Sequence, residues 1–306
     1  MKKHIIWVGL VLVAILIAFG VAKKIGRSDL FYDSSKTQVV ATIFPLYDIT
    51  KTIAGDRVGV SVIVDQSSSP HAFTISPDSL KEASQADLLF YLGHGLDDYI
   101  VNEYVQALQT RTKVVDEGST ILSDEEGEDP HYWLGLENAK AIATSVASSL
   151  SELDPEGQLE FESNLALFIK NVEQLKDFYQ SKFLEQEAKI ATFHNAFGYL
   201  AQDLGFTVVA TFEEFPGEEP TAQWLNEFSK TVKEGNLQIL YAEPQFSTSA
   251  IESLAKDLGL QLGVLDPLGG KSDSYSYITL IKMNVDTILQ DAQAMANDST
   301  EIWKQL

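Results

Sequence analysis

Cysteine is absent from the 306-residue chain. That removes disulfides, thiolate metal ligands and a lipid-modified N-terminal cysteine. Positive charge is scarce: 22 Lys and Arg stand against 44 Asp and Glu, for a net charge of −22. Phosphate binding needs a basic surface, so no nucleic-acid partner is expected. The chain has neither an HExxH helix motif nor a Gly-x-Ser-x-Gly turn, which leaves two familiar hydrolase chemistries without a sequence signature. Long apolar runs are also lacking, except for Ile5–Ala22 near the N-terminus.

That run is bracketed by Lys2 and Lys3 on one side and by Lys23, Lys24 and Arg27 on the other. Its length lies between a long signal sequence and a spanning helix. Residues 1–27 are therefore expected to be a signal sequence or membrane anchor, with a retained anchor favoured by the lysines that follow. Residues 28–37 are polar and read as a tether. With 45% hydrophobic and 22% charged residues, the rest has an ordinary globular composition, long enough for two modest cores.

From there strand and helix signals alternate, which predicts parallel α/β units. Strands are expected at Val39–Phe44, Val58–Val64, Leu88–Tyr91 and Lys113–Val115. A helix is expected over Leu46–Ala54, another opening at Ser76-Pro77-Asp78, and a third over Leu136–Leu153. A second set of strands is expected at Lys189–Thr192, Phe206–Ala210, Gln238–Ala242 and Gln261–Leu265, with a last helix from about Ser276. Between the sets, Phe161, Leu165, Phe168, Val172, Leu175 and Tyr179 recur at helical spacing. They predict one amphipathic helix over Gln158–Gln186, about 45 Å long at 1.5 Å per residue. The fold class is thus α/β: two similar lobes, each a mainly parallel sheet flanked by helices, joined by one long backbone helix. The lobes are assigned to 38–155 and 188–306, and the linking helix to 156–187.

Five histidines occur. His4 belongs to the leader. His71 follows Ser67-Ser68-Ser69-Pro70 after a strand, His131 lies in Asp129-Pro130-His131-Tyr132-Trp133, and His194 follows the strand Lys189–Thr192. All three precede helices, at the sheet edge where ligands bind in open parallel sheets. His94, in Gly93-His94-Gly95, reads as an exposed loop residue.

These segments carry a resemblance to a known family. They comprise Pro70-His71-Ala72-Phe73 with Pro77-Asp78, Ala86-Asp87-Leu88 with Gly93, and Asp129-Pro130-His131-Tyr132-Trp133-Leu134. Leu153-Asp154-Pro155, His194-Asn195-Ala196-Phe197-Gly198-Tyr199, Glu219-Pro220, Glu243-Pro244-Gln245 and Leu265-Asp266-Pro267-Leu268-Gly269 complete the set. In this order the sequence resembles the zinc- or manganese-receptor solute-binding proteins of ABC transporters over nearly all of 38–290. The resemblance implies the metal-type periplasmic-binding-protein fold and no enzymatic activity. It implies His71, His131, His194 and Asp266 as metal ligands. Three imidazoles and a carboxylate suit four-coordinate Zn²⁺. Mn²⁺ is the alternative, since the family's manganese receptors place a carboxylate where His194 stands. It further implies a permease with its ATPase subunit as partners, an extracytoplasmic location at the cell envelope, and a monomer. A zinc hydrolase or a surface adhesin would be readings of a different class.

Three departures from the family pattern stand out. Gly135-Leu136 replaces the acidic residue and proline that usually follow the tryptophan, and Asp97 stands where a glutamate is usual. The loop before His131 is acidic (Asp124-Glu125-Glu126-Gly127-Glu128) where zinc receptors often carry histidines. Tyr199 and Trp133 are expected to pack beside the site.

Overall fold

The structure, a computed structural model, describes residues 36–77, 79–80, 84–105, 112–121, 129–213, 221–246, 249–270 and 275–305. The expected leader, most of the tether, the acidic loop and Glu214–Pro220 lie outside the described residues. In the first lobe the order is β1 (Gln38–Ala41), α1 (Phe44–Ala54), β2 (Gly59–Val62), β3 (Leu88–Tyr91), α2 (Asp98–Val105), β4 (Lys113–Asp116) and the short α3 (Glu117–Ile121). A 3-10 turn at Tyr132–Leu134 leads into α4 (Leu136–Leu153), and a second at Pro155–Gly157 into the 28-residue α5 (Gln158–Glu185). The second lobe follows as β5 (Lys189–Thr192), α6 (Gly198–Leu204), β6 (Thr207–Thr211), α7 (Ala222–Glu234), β7 (Ile239–Ala242), α8 (Ser249–Leu258), β8 (Gln261–Val264) and α9 (Tyr277–Gln305).

Both sheets are parallel and have the same strand order, β2-β1-β3-β4 and β6-β5-β7-β8. In each the chain changes direction of travel across the sheet, between β1 and β3 and between β5 and β7. Such a switch leaves a crevice beyond the carboxyl ends of those two strands.

Two expected boundaries moved for local reasons. The strand expected to reach Phe44 stops at Ala41, because Pro45 favours the first turn of a helix and α1 begins at Phe44. The helix expected directly after His194 begins only at Gly198, because Ala196 N–H closes a tight turn onto the His194 carbonyl at 2.9 Å.

α5 buries Phe161, Phe168, Val172, Leu175, Tyr179 and Phe183 on one face. That face packs on α4, α1 and α9. One core cluster runs from the first sheet through this helix to one face of the second sheet, including Ile190 and Tyr241. The other face of the second sheet, with Ala191, Leu240 and Ala242, forms a separate cluster with Phe228 and Val232 of α7. Neighbouring strand residues thus serve opposite faces, as the pleat requires. Among the described residues, no helix is long and apolar enough to cross a membrane.

Candidate metal centre

Three of the four expected ligands converge. His71 reaches in from the loop after β2, and His131 from the entry to the 3-10 turn before α4. His194 stands just past β5, at the switch point of the second sheet. His71 Nε2 and His194 Nε2 each lie 3.0 Å from His131 Nε2, and the three donor atoms all fall within 4.8 Å of one another. Two nitrogens at ~2.0–2.1 Å from a tetrahedral Zn²⁺ would be about 3.3 Å apart. The cluster is therefore nearly at the spacing the ion needs. Burial is deep, with His131 3% and His194 2% exposed.

Two of the three rings are held from their far side. His131 Nδ1 lies 2.7 Å from Asp129 Oδ1, and His194 Nδ1 lies 2.5 Å from Glu243 Oε1, just past β7. In the tautomers that donate Nδ1–H to these carboxylates, the Nε2 lone pairs of His131 and His194 point at each other. A cation between them would relieve that repulsion. Burial pushes His131 below the usual imidazole range. Burial, reinforced by the other two imidazoles, pushes His71 down to about 3. The site thus keeps these rings neutral and ready to ligate. Burial pushes the Glu243 carboxyl up, while the His194 contact pulls it back. A divalent ion on Nε2 would make Nδ1–H more acidic and strengthen this bond.

The turn carrying His131 is pinned from both lobes. Tyr132 Oη donates to the Leu92 carbonyl at 2.7 Å, and Trp133 Nε1 to the Pro267 carbonyl at 2.9 Å. Tyr277 Oη donates to the Trp133 carbonyl at 2.8 Å. Tyr99 Oη donates to the Pro70 carbonyl at 2.7 Å, beside His71. Trp133 packs on the His131 ring at 5.2 Å. Tyr199 Oη meets the Asp129 carbonyl at 3.3 Å.

Asp266, the fourth expected ligand, is not part of the imidazole cluster. Its Oδ1 accepts from Gln245 Nε2 at 2.9 Å, Leu268 N–H at 3.1 Å and Gly269 N–H at 2.9 Å. Asn284 grips its backbone at both N–H and C=O. His94 stands apart from the cluster. It is half-buried rather than exposed, adopting φ 51° with its ring against Tyr132.

The orienting roles of Asp129 and Glu243 were not read from the sequence. Asp129 is two residues before its ring, a spacing that offers a signal. Glu243 is 49 residues from His194, and only the adjacency of β5 and β7 brings them together.

The profile of the family described as zinc-uptake complex component A, periplasmic, matches residues 39–291. The chain belongs to this family. It is 27% identical over 321 aligned positions to zinc-binding protein AdcA of Streptococcus pyogenes, covering 94% of this chain and 61% of that protein. It thus spans about three fifths of that relative's length. It is also 27% identical to the high-affinity zinc uptake system protein ZnuA of Bacillus subtilis, over 92% of this chain and 96% of the relative. A crystal structure of ZnuA superposes with a TM-score of 0.75 at 28% identity, covering 84% of this chain and 99% of that one.

Proposed function

We propose that this chain captures a zinc ion outside the cytoplasm and hands it to the permease of an ABC importer powered by an ATPase subunit. The observation that carries the reading is the convergence of three buried Nε2 atoms, two of them backed by carboxylates. Nitrogen donors favour Zn²⁺ over harder ions. The name of the Bacillus subtilis relative, a zinc uptake protein matched over nearly its whole length, supports the same reading.

His71, His131 and His194 are the proposed nitrogen ligands, and an oxygen from the Asp266 side of the cleft completes the shell. Residues 38–155 and 188–306 act as the two lobes and 156–187 as their rigid spacer. Residues 1–27 keep the monomer at the envelope. Elemental analysis of the purified protein and competition with a zinc chelator test the reading. One equivalent of zinc is expected, with a loss of at least about 100-fold in affinity on His194→Ala. Wild-type affinity in that variant would overturn it. Preferential loading with Mn²⁺ would establish the alternative cargo.

A further inference from the structure

Gln245 lies two residues beyond Glu243, on the turn after β7, and one cavity is lined by Gln245 together with His71, His131 and His194. Asp266 does not line that cavity, although the next two residues, Pro267 and Leu268, do. Its Oδ1 is engaged by three donors, one of them the Gln245 amide.

That contact fixes which way the amide faces. A carboxylate oxygen accepts only, so the NH₂ end of Gln245 must meet Asp266. The reversed amide would set two acceptors at 2.9 Å. Oε1 is then turned away from Asp266. It is buried and has no hydrogen-bond partner. A buried carbonyl oxygen without a donor is rare in a folded protein and is destabilising unless something meets it. Here the residue that carries it borders the cavity of the three imidazoles. The carboxylate behind the amide draws on its N–H and makes Oε1 a stronger donor to a cation.

We propose that Gln245 supplies the fourth ligand oxygen to the captured ion through Oε1, with Asp266 behind it as the positioning residue. This rests on the zinc reading above. It places a neutral amide oxygen in the shell where a carboxylate was expected. A neutral oxygen completes a four-coordinate Zn²⁺ without the negative charge and second oxygen that a harder ion prefers.

The test compares Gln245→Ala, Gln245→Glu, Asp266→Asn and His194→Ala in the full chain, by chelator competition with Zn²⁺ and with Mn²⁺. Thermal unfolding of the metal-free variants checks that each folds. Gln245→Ala is expected to lose about 10–100-fold in zinc affinity, and Asp266→Asn less. Gln245→Glu, nearly isosteric, is expected to shift preference toward Mn²⁺ by bringing a carboxylate into the shell. Cobalt loading adds an independent readout: the visible bands of the Co²⁺ protein should change in Gln245→Ala and stay near wild type in Asp266→Asn. Unchanged zinc affinity in Gln245→Ala, or a larger loss and a changed cobalt spectrum in Asp266→Asn, would overturn the proposal. Failure of the zinc reading itself would look different: no zinc in the wild type, or none lost with His194→Ala.

Discussion

The two sheets have the same strand order, yet their switch points are used in opposite ways. Beyond β1 and β3, the crevice is closed by Asp97, wholly buried. Its carboxylate accepts from Thr42 Oγ1 at 2.5 Å, Leu92 N–H at 3.0 Å and Gly93 N–H at 2.8 Å. Beyond β5 and β7, the equivalent crevice holds His194 and Glu243. One lobe turns its buried carboxylate on its own backbone and fixes two loops. The other gives it to an imidazole and so orients a proposed ligand. The first lobe reaches the His194 ring through longer arms, the His71 loop and the His131 turn. The same topology supplies a rigid wall on one side and a chemical group on the other.

The first lobe buries a second carboxyl, and the largest predicted effect concerns it. Glu117 is fully buried near Ser145, but neither of its oxygens makes a sound hydrogen bond. Burial, with a smaller push from Asp116, raises it from 4.5 to about 8. Between those values the folded protein holds a proton that the unfolded chain has released. Stability therefore falls as pH rises through that window, and the penalty is complete above it. Glu117→Gln should flatten this dependence, leaving stability at pH 4 unchanged and raising it by about 3–5 kcal/mol at pH 9. Urea unfolding at the two pH values measures it. An unchanged pH dependence would mean that the carboxyl has a partner after all.

Next in size is the contrast between the two carboxylates that hold imidazoles. The Glu243 side chain is 1% exposed and that of Asp129 24%. Water can replace Asp129 but not Glu243. Glu243→Gln is predicted to weaken zinc binding by about 10–100-fold, and Asp129→Asn by less than about tenfold. Equal losses would show that burial does not distinguish the two halves. His94→Ala, outside the cluster, is the control and should leave affinity at the wild-type value.

A smaller effect is expected where the lobes touch. Trp133→Phe keeps most of the apolar contact but leaves the Pro267 carbonyl without its donor, for a loss of about 1–2 kcal/mol in stability. Tyr277 ties the same segment, with its N–H on Asp48 Oδ2 at 2.7 Å and its hydroxyl on the Trp133 carbonyl. With lobes bridged this way and α5 running alongside both, scattering should show little change in radius of gyration on zinc loading. A large closure would mean that these bonds break.

Much of this was legible in the sequence because it is periodic or punctuated. The helix over Leu136–Leu153 and the strands at Leu88–Tyr91 and Lys189–Thr192 fall where expected, since apolar spacing and Asp154-Pro155 mark them locally. The three histidines were legible because each sits at the end of a strand or loop. What orients them was not. Glu243, Gln245 and Asp97 act across strands that are neighbours only after folding, and no local pattern records that adjacency. The departure at Gly135-Leu136 is explained the same way, by a partner far along the chain.

That partner is Asp203, and it carries the smallest predicted effect. A helix needs acceptors for its first N–H groups, and the N-cap of α4 is Gly135, which has no side chain to offer. Asp203, on α6 of the other lobe, supplies the cap instead: Oδ2 accepts from Leu136 N–H at 2.6 Å and Glu137 N–H at 3.2 Å. Lys176 of α5 meets its Oδ1 at 3.1 Å and reaches Glu137 at 2.8 Å. A cap borrowed from the opposite lobe fixes the start of α4, five residues after His131, while holding the lobes together. Asp203→Ala should lose about 1 kcal/mol, the usual worth of an N-cap. Most of that loss should persist in high salt, because a hydrogen-bonded cap is screened less than the exposed Lys176–Glu137 pair. Zinc affinity should fall by less than about threefold, since Tyr132 and Trp133 still hold the His131 turn. A loss of stability that vanishes in 1 M salt would assign the effect to the ion pairs. A loss of zinc binding as large as that of Glu243→Gln would mean that the first lobe's arm depends on the second lobe for its position, and that the two halves of the site are not independent.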